Sequence, residues 1–236
     1  IPAGAKRIVC MASSYIAMFD ALGQVDKIVG VSGIDYVSNP YILAHKDSIK
    51  DMGPEMNYEL LLGLKPDVVL LYGIGDAQTA VTDKLKELYI PYMYVGEYLE
   101  ESPLGKAEWL VALSELTDSR DKGIEVFSEI PKRYQALKDL TASVEHHPTV
   151  MFNTPWNDSW VMPSTQSYMA QLVTDAGADY IYKENTSNSS APIGLETAYG
   201  LIQKADYWIN VGTASTLDEL KNMNPKFADA KSVRDK

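Results

Sequence analysis

Short apolar runs alternate with amphipathic stretches through the first part of the chain. Runs of four or five mostly apolar residues are typical of buried strands, whereas longer stretches with apolar residues every three or four positions are typical of helices. The segments alternate between strand and helix in the order 7–11, 15–22, 27–31, 60–64, 68–72, 81–88 and 92–95. This order predicts an α/β fold in which helices cover a parallel sheet.

The pattern changes between Leu104 and Val144. Strand-like runs disappear, and apolar residues recur at helical spacing at Ile124, Phe127, Ile130, Tyr134, Leu137, Leu140 and Val144. This period predicts one long helix, bent at Pro131 because proline removes a backbone donor. At 1.5 Å per residue, the range 119–144 would be about 39 Å long. We therefore expect a rigid helical connector.

The second half of the chain repeats the first in outline, with further segments at 149–153, 160–162, 168–176, 180–182, 198–203 and 207–211. The range 64–73 aligns with 203–212, matching a lysine, an aspartate and a glycine among apolar residues. We therefore predict two Rossmann-like lobes, 1–103 and 148–236, joined by the connector at 104–147. Two such lobes would leave a cleft between them for a small molecule.

Composition and charge narrow the class of partner. The chain has 236 residues, of which 46% are hydrophobic and 22% are charged, as in ordinary globular proteins. It carries 21 Lys and Arg against 32 Asp and Glu, a net charge of −11 that disfavours nucleic acid. The single cysteine, Cys10, lies in an apolar run, which indicates a small buried side chain.

Two glutamates occupy nearly corresponding places in the two halves. Glu59 lies six residues before Lys65, and Glu196 lies eight before Lys204, each at the start of a predicted helix. Attraction to the helix dipole accounts for either one alone. As a pair, they predict a docking surface that spans both lobes and binds arginines of a partner.

Aromatic residues with a polar group predominate, since 15 Tyr and 4 Trp stand against only 4 Phe. Such rings can stack on a ligand and also form hydrogen bonds to it. Several lie where predicted strands end, at the edge where open parallel sheets bind ligands. The candidate ligand-contacting residues are Ser14, Tyr15, Tyr36, Tyr72, Tyr98, Trp156 and Trp160. Burial in the core is the alternative for each ring.

Residues for catalysis are scarce. The three histidines, His45, His146 and His147, form no zinc-binding pattern, and the sequence has no nucleophile or phosphate-loop motif. The glycines after the strand at 68–72 lack the third glycine of a dinucleotide-binding motif. We therefore predict a protein that is not an enzyme and has neither catalytic residues nor a metal site of its own.

Short motifs follow one another in a characteristic order along the chain. They are Lys6-Arg7-Ile8-Val9, Ser13-Ser14-Tyr15, Leu22-Gly23, Asp26-Lys27-Ile28-Val29-Gly30-Val31, Asn57-Tyr58-Glu59, Leu64-Lys65-Pro66-Asp67-Val68-Val69 and Ala205-Asp206-Tyr207-Trp208-Ile209. Together they resemble the periplasmic (class III) binding proteins of ABC importers for iron complexes, haem and cobalamin. The resemblance extends over almost the whole chain.

This resemblance implies two α/β lobes bridged by one long helix, the helical-backbone type of metal receptor, with limited hinge motion. It implies capture of a metal chelate (an iron-siderophore, haem or a corrinoid) without an intrinsic cofactor, and its delivery to the permease subunits of an ABC importer. The implied location is periplasmic or lipid-anchored outside the cytoplasm. Glu59 and Glu196 match the acidic residues that dock on permease arginines in this family.

Two features modify these expectations. The chain ends at Lys236, earlier than family members usually do, which predicts an incomplete C-terminal lobe. Three scattered histidines argue against a site for free zinc or manganese. The alternatives are an α/β enzyme acting on a nucleotide or sugar, and a ligand sensor of the same fold.

Overall fold

A computed structural model of the protein describes residues 4–53, 55–73, 78–156 and 158–235. The strands in these ranges are β1 (Ile8–Cys10), β2 (Ile28–Val31), β3 (Lys50–Asp51), β4 (Val68–Leu71), β5 (Tyr92–Tyr94), β6 (Thr149–Phe152), β7 (Trp160–Met162), β8 (Asp179–Tyr180), β9 (Ala191–Ile193) and β10 (Tyr207–Ile209). The helices are α1 (Ser13–Ala21), α2 (Pro40–Ala44), α3 (Tyr58–Leu64), α4 (Gln78–Glu87), α5 (Pro103–Leu116), α6 (Arg120–Thr141), α7 (Tyr168–Asp175), α8 (Leu195–Ile202), α9 (Leu217–Met223) and α10 (Lys231–Arg234).

The chain divides into two compact units. The first comprises the residues up to Glu97 together with Ala107–Pro131, and the second comprises Tyr98–Lys106 and the residues from Lys132 onward. Residues of the region predicted as a connector, 104–147, fall in both units, and the divisions lie within α5, after Lys106, and within α6, after Pro131.

The first unit contains a parallel five-stranded sheet in the order β3-β2-β1-β4-β5. All four residues of β4 are buried, as expected for a strand covered on both faces. Alternate residues of β4 enter two separate cores: Val68 and Leu70 pack with Phe19 of α1, whereas Val69 packs with Leu61 of α3. This confirms the predicted α/β fold with helices on both faces of a parallel sheet.

The second unit contains a parallel three-stranded sheet in the order β10-β6-β8 and a separate antiparallel pair, β7-β9. Its core is rich in aromatic rings. Trp160 lies at its centre, with ring centroids 5.8 Å from Trp208, 6.2 Å from Phe227 and 6.2 Å from Tyr199. This unit therefore has its own hydrophobic core, independent of that of the first unit.

One aspartate in each unit ties together the amino ends of two adjacent strands. Asp67 Oδ2 accepts hydrogen bonds from the backbone N–H of Lys6 (2.7 Å) and Arg7 (2.9 Å), just before β1. Asp206 Oδ2 accepts from the N–H of Thr149 (2.8 Å), the first residue of β6. These aspartates are matched in the alignment of 64–73 with 203–212, and their shared role supports the predicted repeat of the first half in the second.

The helical region contains two helices, and the second, α6, is the long helix predicted over 119–144. The chain leaves helical geometry between α5 and α6, where Asp118 has a φ of +54°. Gly123 lies where the helices meet, and an added Cβ there would collide with the Ser114 side chain. The prediction of a helix containing Pro131 is confirmed, since this residue lies inside α6.

Acid is expected to weaken the second unit through Asp206. A hydrogen bond from Lys231 Nζ (2.5 Å), together with those from Thr149, lowers the pKa of this carboxyl below its usual value. A group with a lowered folded-state pKa stabilises the fold above its unfolded-state pKa, about 3.9, and this contribution is lost as the pH falls further.

The test measures the free energy of unfolding in urea between pH 5 and pH 2.5. Asp206→Asn should lower the free energy at pH 5 by about 1–2 kcal/mol, the range for charge-assisted hydrogen bonds of a partly exposed group. The free energy of unfolding of Asp206→Asn should also decrease less steeply with falling pH than that of the wild type. Asp218→Asn, in α9, is the matched control, and equal acid profiles for Asp206→Asn and the wild type would contradict the assignment.

Candidate ligand-binding edges and docking helices

In the first unit, the strand order changes direction between β1 and β4, and ligands of open α/β sheets bind beyond the carboxyl ends of such strands. Ser14 follows β1 and Tyr72 follows β4, and both side chains are partly buried at this edge. Ser14 Oγ donates a hydrogen bond to Glu97 Oε1 over 2.7 Å. These two predicted site residues therefore lie where the topology places a ligand.

A single carboxylate organises the neighbouring loops of this edge. Asp51, the last residue of β3, accepts hydrogen bonds from the N–H groups of Gly33 (2.9 Å), Gly53 (2.9 Å) and Ile34 (3.2 Å). Burial alone raises the pKa of Asp51, but these three hydrogen bonds lower it below its usual value. The loop held in this way presents Tyr36 with 84% of its surface exposed.

Tyr15 does not belong to the exposed edge, which corrects its predicted role. It is fully buried, and its hydroxyl is shared between the backbone oxygens of Leu71 (3.2 Å) and Val95 (3.3 Å). The hydroxyl that suggested a ligand contact instead forms hydrogen bonds with backbone carbonyls at the ends of two strands inside the core. In this conformation the ring has no surface on which a ligand could stack.

In the second unit, two asparagines mark the carboxyl ends of adjacent strands. Asn153 follows β6 with a φ of +67°, and Asn210 follows β10 with a φ of +56°. Asn210 Nδ2 donates to Asn153 Oδ1 (2.5 Å), and Asn153 Nδ2 donates to the Val161 carbonyl (2.7 Å). This pair was not predicted, although an asparagine directly after the apolar residues of each of these two strands was a detectable signal.

Trp156 lies on the loop beyond Asn153 and has 77% of its surface exposed. The loop is folded back on itself, since Trp156 N–H donates to the Ser159 carbonyl (2.8 Å) and Ser159 N–H donates to the Trp156 carbonyl (3.2 Å). The ring is therefore held on an ordered turn at the carboxyl edge of the second sheet. Its role in ligand contact stays a prediction.

Trp160, four residues further on, has the opposite environment, and its predicted ligand contact is also corrected. It is fully buried, and its indole Nε1 donates to the Phe152 carbonyl over 2.8 Å. The ring fills the core of the second unit. Tyr98, the remaining predicted residue, lies in a short 3-10 turn after β5 and is partly buried.

Glu59 is the second residue of α3 and is exposed. Asn57 caps this helix, because its side-chain oxygen accepts the N–H of Leu60 over 3.0 Å. The helix leads directly into β4. The cap fixes the first turn, so the carboxylate of Glu59 is presented from a defined backbone position.

Glu196 is the second residue of α8 and is also exposed. This helix leads into β10, which pairs with the first strand of its unit as β4 does in the other. Glu196 borders a surface depression together with Tyr199, whose hydroxyl accepts from Asn224 Nδ2 (2.8 Å) and whose ring lies 4.7 Å from Lys226 Nζ. The two glutamates thus occupy equivalent places in the two units.

Among the residues that the structure describes, no group of three or more His, Cys, Asp or Glu side chains could hold a metal ion. None of the helices in the same ranges is long and apolar enough to cross a membrane.

Each unit is a parallel sheet with helices, an ordered carboxyl edge and an acid on an equivalent helix, which together define the class of two-unit α/β solute-binding proteins. Residues 8–235 match the family model of periplasmic binding proteins, and the chain belongs to this family. Membership confirms the prediction of a solute-binding protein that is not an enzyme. It also confirms the predicted location outside the cytoplasm.

Solved structures share the fold. The vitamin B12 binding protein BtuF of Vibrio cholerae aligns with a TM-score of 0.69 and 17% identity, over 99% of this chain and 86% of that one. The haem-binding protein HutB of Vibrio cholerae aligns with a TM-score of 0.72 and 17% identity, over 97% of this chain and 86% of that one. An Fe3+-hydroxamate transport protein of Saccharomonospora viridis aligns with a TM-score of 0.73 and 18% identity, over 100% of this chain and 84% of that one.

Sequence relatives occur in Methanocaldococcus jannaschii. One uncharacterized lipoprotein is 26% identical over 242 residues, covering 97% of this chain and 57% of its own length. A second is 26% identical over 187 residues, covering 76% of this chain and 47% of its own length. The chain thus spans about half the length of these relatives.

Proposed function

We propose that this chain captures a metal chelate outside the cytoplasm and delivers it to the permease of an ABC importer. One observation carries the proposal: the carboxyl edge of each parallel sheet presents a largely exposed aromatic ring, Tyr36 in the first unit and Trp156 in the second. Exposed rings at ligand-binding edges offer flat faces for a large planar or apolar ligand. Ser14, Tyr72 and Tyr98 would add partly buried polar contacts.

Several findings support this proposal. The structural neighbours include proteins named for haem, vitamin B12 and Fe3+-hydroxamate, all of which are metal chelates. Binding would involve no covalent step and no cofactor of the protein itself. Two relatives are named as lipoproteins, which supports a lipid-anchored form of this protein as well.

Glu59 and Glu196 supply the contact with the permease in this proposal. Both are exposed and each lies in the first turn of a helix, at equivalent points of the two units. Arginines of the permease would form charge-assisted hydrogen bonds with these carboxylates. One acid on each unit would allow the permease to contact both units.

Removal of the Trp156 ring should weaken chelate binding. Because the ring is exposed, Trp156→Ala should fold normally and bind the chelate about tenfold more weakly, equivalent to about 1.4 kcal/mol. Isothermal titration calorimetry measures the affinity without relying on tryptophan fluorescence. Tyr89→Ala is the matched control, since Tyr89 is 93% exposed but lies before β5, at the opposite edge of the first sheet. Equal affinities for both variants and the wild type would exclude a ligand site at Trp156.

A further inference from the structure

We infer that the ligand is a metal chelate with no net negative charge, either neutral or cationic. This inference rests on the proposed function and narrows its substrate class. It follows from the charges on the segments that leave the carboxyl ends of the strands, since those segments form the ligand-binding edge of a parallel sheet.

Basic residues are nearly absent from these segments. In the first sheet the described residues of these segments are 11–14, 32–39, 52–53, 55–57, 72–73 and 95–102, and in the second they are 153–156, 158–159, 181–190 and 210–216. Of the chain's 21 Lys and Arg, only Lys183 falls in them, and none of the three His does. An anionic ligand loses water of hydration when it binds, and this loss must be compensated by positive charges of the protein. At either edge, these segments offer an anionic ligand almost no such charge.

Two lysines on or near these segments face acids. Lys183 Nζ lies 2.9 Å from Asp179, four residues earlier in the chain. Lys46, which lies outside the segments, has its Nζ 3.8 Å from Asp35, next to Tyr36. Neither lysine contributes an uncompensated positive charge.

Acids, by contrast, are common on the same segments. Four that are exposed are Glu55, Glu101, Asp158 and Glu184. Asp158 lies two residues from the exposed Trp156 ring. The field that a ligand meets near this ring is therefore negative.

The helix dipole at the first edge does not reverse this conclusion. The amino end of α1 carries a partial positive charge that could attract an anion. Ser14, in the first turn, donates its hydroxyl proton to Glu97, whose buried carboxylate therefore already lies beside this turn. The partial positive charge at the amino end of α1 is thus already compensated by the Glu97 carboxylate.

The chemistry of the candidate chelates separates them by charge. Haem carries two propionates and ferric tris-catecholates carry several negative charges, and proteins bind such groups through arginine and lysine. Ferric trihydroxamates and corrinoids are neutral or cationic and need no such partner. The faces of Tyr36 and Trp156 attract cations and accept apolar surfaces equally well.

The test is calorimetric titration at pH 7 against four probes: ferrioxamine B (cationic), cyanocobalamin (neutral), haemin and ferric enterobactin (both anionic). We expect ferrioxamine B or cyanocobalamin to bind at least tenfold more tightly than either anionic probe. Tighter binding of an anionic probe would overturn the charge inference and leave the proposed function intact. Binding of none of the four would overturn the proposed function, and the charge inference with it.

If ferrioxamine B binds, a charge reversal at Asp158 tests whether the negative charge near Trp156 favours this cationic ligand. Asp158→Lys should weaken its binding several-fold at low salt, because it puts a positive charge beside the Trp156 turn. Glu145→Lys makes the same change at an exposed position just beyond α6 and should have little effect. Equal losses in the two variants would show that net charge, not the edge, sets the affinity, and would overturn the assignment.

Discussion

Replacement of both Glu59 and Glu196 by glutamine is expected to abolish chelate uptake while leaving chelate affinity unchanged. The two side chains are exposed and lie on helices α3 and α8, so neither should be needed for folding. Each hydrogen bond between a carboxylate and a permease arginine contributes about 1.5–3 kcal/mol. Loss of the charge on both units should therefore reduce productive docking by far more than tenfold.

Uptake by cells that carry the importer measures docking, with iron-55 as the label for a ferric chelate or cobalt-57 for a corrinoid, and calorimetry on the purified protein measures binding. The matched control is Glu108→Gln with Glu145→Gln, which removes the same charge from two other exposed positions. Unimpaired uptake by the Glu59/Glu196 double variant would show that the permease docks elsewhere. Each single variant should retain part of the activity, because one unit still docks.

Trp160→Ala is expected to lower the free energy of unfolding by about 3–5 kcal/mol, the range for deleting a large buried aromatic ring. The substitution leaves a cavity among Trp208, Phe227 and Tyr199 and removes the indole donor from the Phe152 carbonyl. Trp156→Ala, four residues earlier, should change this free energy by only about 0.5 kcal/mol or less, as for an exposed position.

Urea unfolding followed by circular dichroism measures both variants on the same scale. Because the two residues are both tryptophans and close in sequence, the comparison isolates burial. Similar stabilities for the two variants would contradict the placement of Trp160 in the core. The pair also separates stability from ligand binding, since only Trp156 is proposed to contact the chelate.

Hydrophobic periodicity predicted the main parallel strands well, because a strand buried on both faces appears as a continuous apolar run. The predicted strand 68–72 is β4 (Val68–Leu71), the predicted strand 7–11 is β1 (Ile8–Cys10), and every residue of both strands is buried. The two-residue strand β3 and the five-residue helix α2 were missed, because neither is long enough to show a period. The β7-β9 pairing was missed because it joins residues distant in sequence, one of which is Pro192.

The site was less predictable than the fold. Tyr and Trp are amphipathic, so their position at the end of a strand does not reveal whether the ring points into the core or out of it. Tyr15 and Trp160 illustrate this, since each uses its polar atom to satisfy a buried backbone carbonyl. The exposure of Glu59 and Glu196 was easier to predict, because an unpaired carboxylate is rarely buried and is favoured in the first turn of a helix. Their docking role stays a prediction.

The three N–H groups that share the Asp51 carboxylate have a mechanical consequence. Gly33 and Ile34 belong to the loop that presents Tyr36, and Gly53 begins the loop that leads into α3 and Glu59. One carboxylate therefore fastens two loops to the end of β3: the loop of Tyr36, the proposed ligand contact, and the start of the loop that leads to Glu59, the proposed docking acid. Because these backbone N–H groups are already held, binding of a ligand or a permease would lose less free energy to the ordering of the two loops.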